Sequence, residues 1–266
     1  MTLPVRIVGI GVRGPGLPDW PGCRDTLREP ASHVPGPLSR PVGQGLPATE
    51  RRRATTVTRL ALDVAAEALA GHDAGQVAAV FASSGGEVDV VHGIFEQLAG
   101  TDRRLSPTAF HNSVHNAAAG HWSIASGSHA AADSLCGYDD SFGVGLAEAC
   151  LRCQEGDSPV LLVACDWPPL FPIAEFRPIT QPFAVALLLQ ADGPAGPGLA
   201  RLAVDYRPVP AHAESLPGPT LEQLRTDNPA ASSLPLLAAI AAGRPARLSL
   251  GHGMGGSLRI EVEPCG

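Results

Sequence analysis

Uninterrupted apolar runs, rather than alternating ones, mark the strand-like segments of this 266-residue chain. Residues 5–12 (VRIVGIGV) and 159–164 (PVLLVA) have strand length and almost no polar position, the pattern of strands covered on both faces. Residues 77–82 form a third run, closed by Ser83-Ser84-Gly85-Gly86, which reads as a turn at a strand end. Between these runs the period changes. Over 55–69, Val57, Leu60, Ala61, Val64, Ala65, Ala68 and Leu69 recur at helical spacing, and Gly71 stands where a helix C-terminus favours glycine. Further helices are expected over 88–98, 143–153 (stopped by Gly156) and 234–242, with further strands over 183–190, 198–206, 247–250 and 258–262. The Pro- and Gly-rich stretch up to about residue 48 reads as a long surface excursion. Strands alternating with helices predict an α/β protein. No internal repeat of solenoid period is present, and the length predicts one compact unit.

Composition narrows the partners. The formal net charge is -7, and the one basic cluster, Arg51 to Arg53, stands just before an expected helix where solvent covers it, so nucleic acid is not an expected partner. No segment has the apolar run of a membrane span, and the N-terminus enters a strand pattern without a signal-peptide layout, which predicts a cytoplasmic protein. Six cysteines at irregular spacing do not form a disulfide framework. Cys150 and Cys153 make a C-x-x-C inside a helical pattern with no second ligand pair, so packed thiols are expected rather than zinc. His111, His115, His121 and His129 are spaced by four, six and eight residues, which does not place three ligands on one face. The glycines of 251–256 precede a strand rather than a helix, which argues against a dinucleotide site. No metal and no cofactor is expected.

The densest motif runs from Ser106 to Ala164. Ser106-Pro107, Asn116, Gly120-His121, Ser123-Ile124 and Gly127, then Gly156-Asp157 and the apolar strand after it, fall in order. This constellation resembles the core of the elongating β-ketoacyl-ACP synthases, and Ser249-Leu250-Gly251-His252-Gly253 resembles the glycine-rich motif that closes that family's fold. The resemblance implies a thiolase-like α/β layered sandwich. Residues 1–190 would form its well-kept half and 191–266 a shortened remnant of the second half within a single domain.

Two departures carry the functional expectation. Counting on from Gly127, the family's nucleophile elbow T-A-C ends at residue 139, which here is Asp139, after Tyr138 and before Asp140 and Ser141. A cysteine at a helix N-terminus gains thiolate character, whereas a carboxylate there is a poor acyl acceptor. Asp139 or Asp140 can equally be read as a helix cap. After residue 129 only His212 and His252 remain, neither in the context of the family's decarboxylating histidines.

A synthase relative with neither group resembles the chain-length-factor family, particularly its short members of aryl polyene-type biosynthesis. The runs Phe110-His111-Asn112-Ser113-Val114-His115-Asn116, Tyr138-Asp139-Asp140-Ser141-Phe142 and Leu146-Ala147-Glu148-Ala149 carry that likeness. It implies a non-catalytic subunit that pairs with an active β-ketoacyl-ACP synthase, meets the acyl carrier protein only indirectly and shapes the acyl tunnel. Thr108, Ala109, Phe110, His115, Asn116, Tyr138, Asp139 and Phe142 would line the tunnel or the interface. The family's aromatic pair after Ser-Pro is Thr108-Ala109 here, so either Ala109 leaves the neighbour's tunnel open or Phe110 closes it. The alternative is a stand-alone acyltransferase or thioesterase-like enzyme using Cys136 or Ser141.

Overall fold

In the computed structural model, which describes residues 2–156, 159–193, 198–212 and 214–265, one sheet of eight strands organises the chain. The strands are β1 (Thr2–Arg13), β2 (Ala78–Ala82), β3 (Ala132–Leu135), β4 (Val160–Asp166), β5 (Phe183–Ala191), β6 (Ala200–Arg207), β7 (Ala246–Gly251) and β8 (Ser257–Pro264). Their order across the sheet is β3-β2-β4-β5-β1-β6-β8-β7. β2 runs parallel to both β3 and β4, and every other neighbour is antiparallel.

The helices are α1 (Trp20–Arg28), α2 (Ala48–Arg53), α3 (Thr56–Ala68), α4 (Val88–Ala99), α5 (Pro107–Asn112), α6 (Ala117–Ser126), α7 (Ser141–Glu155), α8 (Pro219–Asp227) and α9 (Leu234–Ala242). β4 shows why two layers of helix are needed. Val160, Leu162 and Ala164 enter the core that contains the buried faces of α1, α7 and α9, while Leu161, Val163 and Cys165 enter a second core with α3 and Trp122 of α6. Successive side chains of a strand point to opposite faces, so a strand apolar at every position is stable only when covered on both sides. β5 divides in the same way. Cys150 and Cys153 lie on the buried face of α7, and burial pushes the Cys150 thiol well up, which leaves it unreactive.

The stretch after β1 differs from the expected excursion, because it contains α1. Asp19 caps the helix by accepting from Gly22 N at 2.7 Å, and Trp20, Cys23 and Leu27, at helical spacing, are its buried face. Glu67 of α3 fixes the entry, accepting from Trp20 N at 2.6 Å and Val12 N at 3.1 Å. Pro21 and Gly22 hide the helix in the sequence, although proline is well tolerated in a first turn. The loop before α2 is also held down: the buried Asp63 accepts from Val42, Gly43 and Gln44 N at 2.7, 2.9 and 3.0 Å. α5, α6 and α8 have no counterpart among the expected helices. Arg51 to Arg53 belong to a helix of their own, α2, and are exposed. Of the Gly156-Asp157 pair, Gly156 ends α7 with φ +105°, and Asp157 lies outside the described residues.

The two margins of the sheet differ. β7 carries a cover on its outer side, where Ser249 N donates to Glu214 Oε1 at 2.8 Å and Ser249 Oγ accepts from His212 N at 3.2 Å. β3 is short, and no described strand lies beyond it. No described helix is long and apolar enough to cross a membrane.

Candidate functional site

The C-terminal ends of the parallel strands β2, β3 and β4 lie together, where open α/β sheets place their sites. From β3 the chain passes Cys136 and Gly137 into a single turn of 3-10 helix, Tyr138–Asp140, and then into α7. Tyr138 has φ +55°, a left-handed conformation that costs a non-glycine residue energy and persists only where neighbours enforce it.

The enforcing contacts can be named. Ser141 Oγ donates to Tyr138 O at 2.7 Å and accepts from Gly137 N at 3.1 Å. Arg177 lies over the Tyr138 ring, 3.8 Å from its centroid, and donates from Nη1 to Asp139 Oδ1 at 2.8 Å. Asp140 reaches the β7–β8 hairpin, where its Oδ2 accepts from Gly253 N at 2.7 Å. The start of α7 lies so close to that hairpin that a Cβ on Gly143 would stand 1.9 Å from the Gly251 carbonyl oxygen. Beside these residues is a cavity of about 570 Å³, lined also by Phe176, Asn228, Ser232 and Leu250.

Its chemistry is limited. Asp139 is paired with a guanidinium, and an ionised carboxylate so held is a weak nucleophile. Ser141 is 1% exposed, with its hydroxyl engaged on both sides. Cys136 is exposed, and its sulfur approaches Ser84 O at 3.5 Å. Neither has a histidine base at hydrogen-bonding distance among the described residues: His115 bonds Ser83 O at 3.2 Å, and His252 stacks edge-on against Tyr206 at 5.3 Å. Nucleophile activation needs such a base. The pure chain, incubated with acyl-CoA or acyl carrier protein thioester, is therefore expected to keep its unmodified intact mass. A stoichiometric adduct on Cys136 or Ser141 would restore the enzyme reading.

The other anticipated residues separate into two groups. Thr108, Phe110, His115 and Asn116 are exposed around α5 and the start of α6, and Tyr138 and Asp139 stand at the elbow. Ala109 is half-buried and, with Thr108, lines an open groove beside Val90 and Ile94 of α4. Phe142 is a correction. It is 0% exposed and packs in the main core with Leu146, Ala149 and Cys150, because the helical period from Ser141 turns it to the sheet, so it is not on the surface that an interface would use. Among the described residues no group of three or more His, Cys, Asp or Glu is arranged to hold a metal ion. His111 instead meets His121 edge to face, with ring centroids 5.8 Å apart.

Three important polar residues were not anticipated. Asp166, 2% exposed at the end of β4, accepts at Oδ1 from Ser83 Oγ, Ser84 N and Ser84 Oγ at 3.1, 2.8 and 2.7 Å. Burial pushes its pKa up to about 6 despite these donors and the nearby Arg177. Glu87, buried before α4, accepts from Thr55 and Thr58 hydroxyls at 2.6 and 2.9 Å, and burial raises its pKa as well. A carboxylate directly after a wholly apolar strand is a legible signal for Asp166. Arg177 has none, since its partners are 38 or more residues away in sequence.

With this geometry in place, comparison with known proteins is informative. The family model for the β-ketoacyl synthase N-terminal domain matches residues 26–248, and the chain belongs to that family. No curated protein matches it. Among solved structures it is similar to a chain of the complex of the ketosynthase ApeO with its chain length factor ApeC from Xenorhabdus doucetiae. The TM-score is 0.75 at 24% identity, over 97% of this chain and 99% of that one. It is similar also to the ishigamide ketosynthase/chain length factor, with TM-score 0.75 at 15% identity over 98% and 99% of the two chains. A β-ketoacyl synthase from Burkholderia phymatum gives TM-score 0.67 at 10% identity, over 98% and 99%. The fold is thus the thiolase-like α/β sandwich expected from the motifs.

Proposed function

We propose that this chain is a non-catalytic, chain-length-factor-like subunit that pairs in the cytoplasm with an active β-ketoacyl-ACP synthase and shapes its acyl tunnel. The pathway would be fatty acid or polyketide synthesis of the aryl polyene type, and the acyl carrier protein would be met only indirectly. Residues 191–266 would be the shortened remnant of a synthase's second half. The observation that carries this reading is α4. Val88, Val90, Val91, Ile94, Phe95 and Leu98 make it strongly apolar, yet none of its residues is buried. Phe95 is 63% exposed, and Phe110, Val114 and Ile124 add 65, 47 and 47%. Apolar surface of this extent marks an interaction site. Ile124 belongs to α6, which packs against β3 at the open margin of the sheet. An elbow without an activated nucleophile fits a subunit whose partner performs the chemistry, and two of the similar structures are of ketosynthases with chain length factors.

Within this interface we assign the tunnel-facing role to Phe110. Phe110 is 65% exposed and offers a large ring to a neighbour, whereas Ala109 offers only a methyl, on the wall of the groove it shares with Val90 and Ile94. The association test is co-expression with a synthase from the same cluster. Val114→Asp and Phe95→Asp are expected to abolish co-elution, because an unpaired charge in an apolar interface is costly. Arg247→Ala, on the opposite margin, should leave it unchanged. If Val114→Asp co-elutes like the wild type, the interface lies elsewhere.

A further inference from the structure

We propose that His111 and Asn112 are positioning residues that hold α5 in place and so set the product length that Phe110 imposes; this rests on the chain-length reading above. α5 has six residues, and so short a helix is not stable by itself in water. Its own cap is weak: Ser106 Oγ accepts from Ala109 N at 3.4 Å. Its place is therefore set from outside.

Beside the packing of α5 against α4, two side-chain tethers do this, and they reach different helices. Asn112 is 4% exposed, and its Nδ2 donates to Arg53 O at 2.7 Å. That carbonyl belongs to the last turn of α2, where helical carbonyls lack intrahelical partners. Asn112 Oδ1 is buried without a hydrogen-bond partner among the described residues, so this strap is a single bond. The second tether is the His111 ring, set edge to face on His121 with an interplanar angle of 74°. His121 is an immobile base for that contact, 1% exposed and joined through Nδ1 to Ala117 O at 2.9 Å.

Phe110 immediately precedes both tethered residues, and its own exposed ring is not fixed by packing. Consecutive Cα atoms stand about 3.8 Å apart, so a shift of His111 or Asn112 passes to Phe110 almost undamped. A tunnel floor works sterically, which makes the position of the ring, and not only its presence, decide where elongation stops.

The test uses reconstituted complexes of the full chain with its synthase, and reads the product distribution by mass spectrometry beside co-elution and Tm. Phe110→Ala is expected to move the main product to longer chains. His111→Ala should move it the same way or broaden it, with co-elution and Tm unchanged. His111→Phe, which keeps a ring edge for His121, should restore the wild-type length, and Asn112→Ala should shift it again. If Phe110→Ala alters the product and His111→Ala does not, or if His111→Phe fails to restore it, the positioning role is wrong. If Phe110→Ala itself leaves the product unchanged, the chain-length reading beneath it is wrong.

Discussion

Gly143→Ala is expected to lower the stability of the chain by about 1–3 kcal/mol, against the usual gain from removing a helical glycine. Position 143 lies inside α7, where alanine would ordinarily be preferred. Here the added methyl would stand 1.9 Å from Gly251 O, a backbone atom that cannot rotate away. Either α7 or the β7–β8 hairpin must move, and both are joined through Asp140 to Gly253. Gly93 supplies the contrast. It also lies within a helix, α4, but a Cβ there meets nothing within 4 Å, so Gly93→Ala should stabilise by about 0.5–1 kcal/mol. Urea unfolding of the two variants checks the pair. A Gly143→Ala protein as stable as the wild type would mean that the elbow and the hairpin are not in rigid contact.

Asp166 should make the protein less stable as pH rises through the acid range. Folded, its carboxyl holds a proton up to about pH 6, whereas its ordinary value is 3.8. Unfolding between those limits therefore releases a proton. Stability is greatest below the lower value, declines as pH climbs towards 6, and stays reduced above it. At 1.36 kcal/mol per unit, the penalty at neutral pH is on the order of 3 kcal/mol. Asp166→Asn presents an oxygen to the same Ser83 and Ser84 donors without the buried charge. It is expected to match the wild type near pH 4 and to exceed it at pH 8 by roughly that amount. Parallel pH profiles for the two proteins would show that the carboxylate carries no such penalty.

Much of the architecture was legible because its cause is local. The runs that became β4 and β5 are apolar at nearly every position, which dictates burial on two faces, and Gly156 stops α7 as its place in the pattern requires. α1 was missed because Pro21 and Gly22 interrupt a helix whose stability comes from Asp19 and from Glu67, the latter 47 residues away at Trp20. α6 was missed for a different reason. Its sequence, AAAGHWSIAS, has little one-sided apolar character, so no period stands out. At the elbow, sequence order brought forward Tyr138, Asp139 and Asp140, which are adjacent in the chain. It could not bring forward Arg177, nor the bond between Asp140 and Gly253 of the closing motif, since both complete the arrangement from distant segments. Phe142 was misassigned because adjacency to the elbow in sequence places it, by the helical turn, on the opposite side.

The unequal margins of the sheet bear on how the proposed pairing would end. At β7 the outward Ser249 N–H is already bonded to Glu214, so a strand arriving there would have to displace an internal partner. At β3 nothing described must be displaced. A sheet that accepts a neighbour on one side only has a valence of one. Under the proposed pairing, two such sheets joined through their open sides would consume each other's vacancy, and the assembly would end as a pair. Growth into a fibre, the usual hazard of an unprotected strand, would need a second acceptor side, and at β7 a newcomer would meet the Ser249–Glu214 bond.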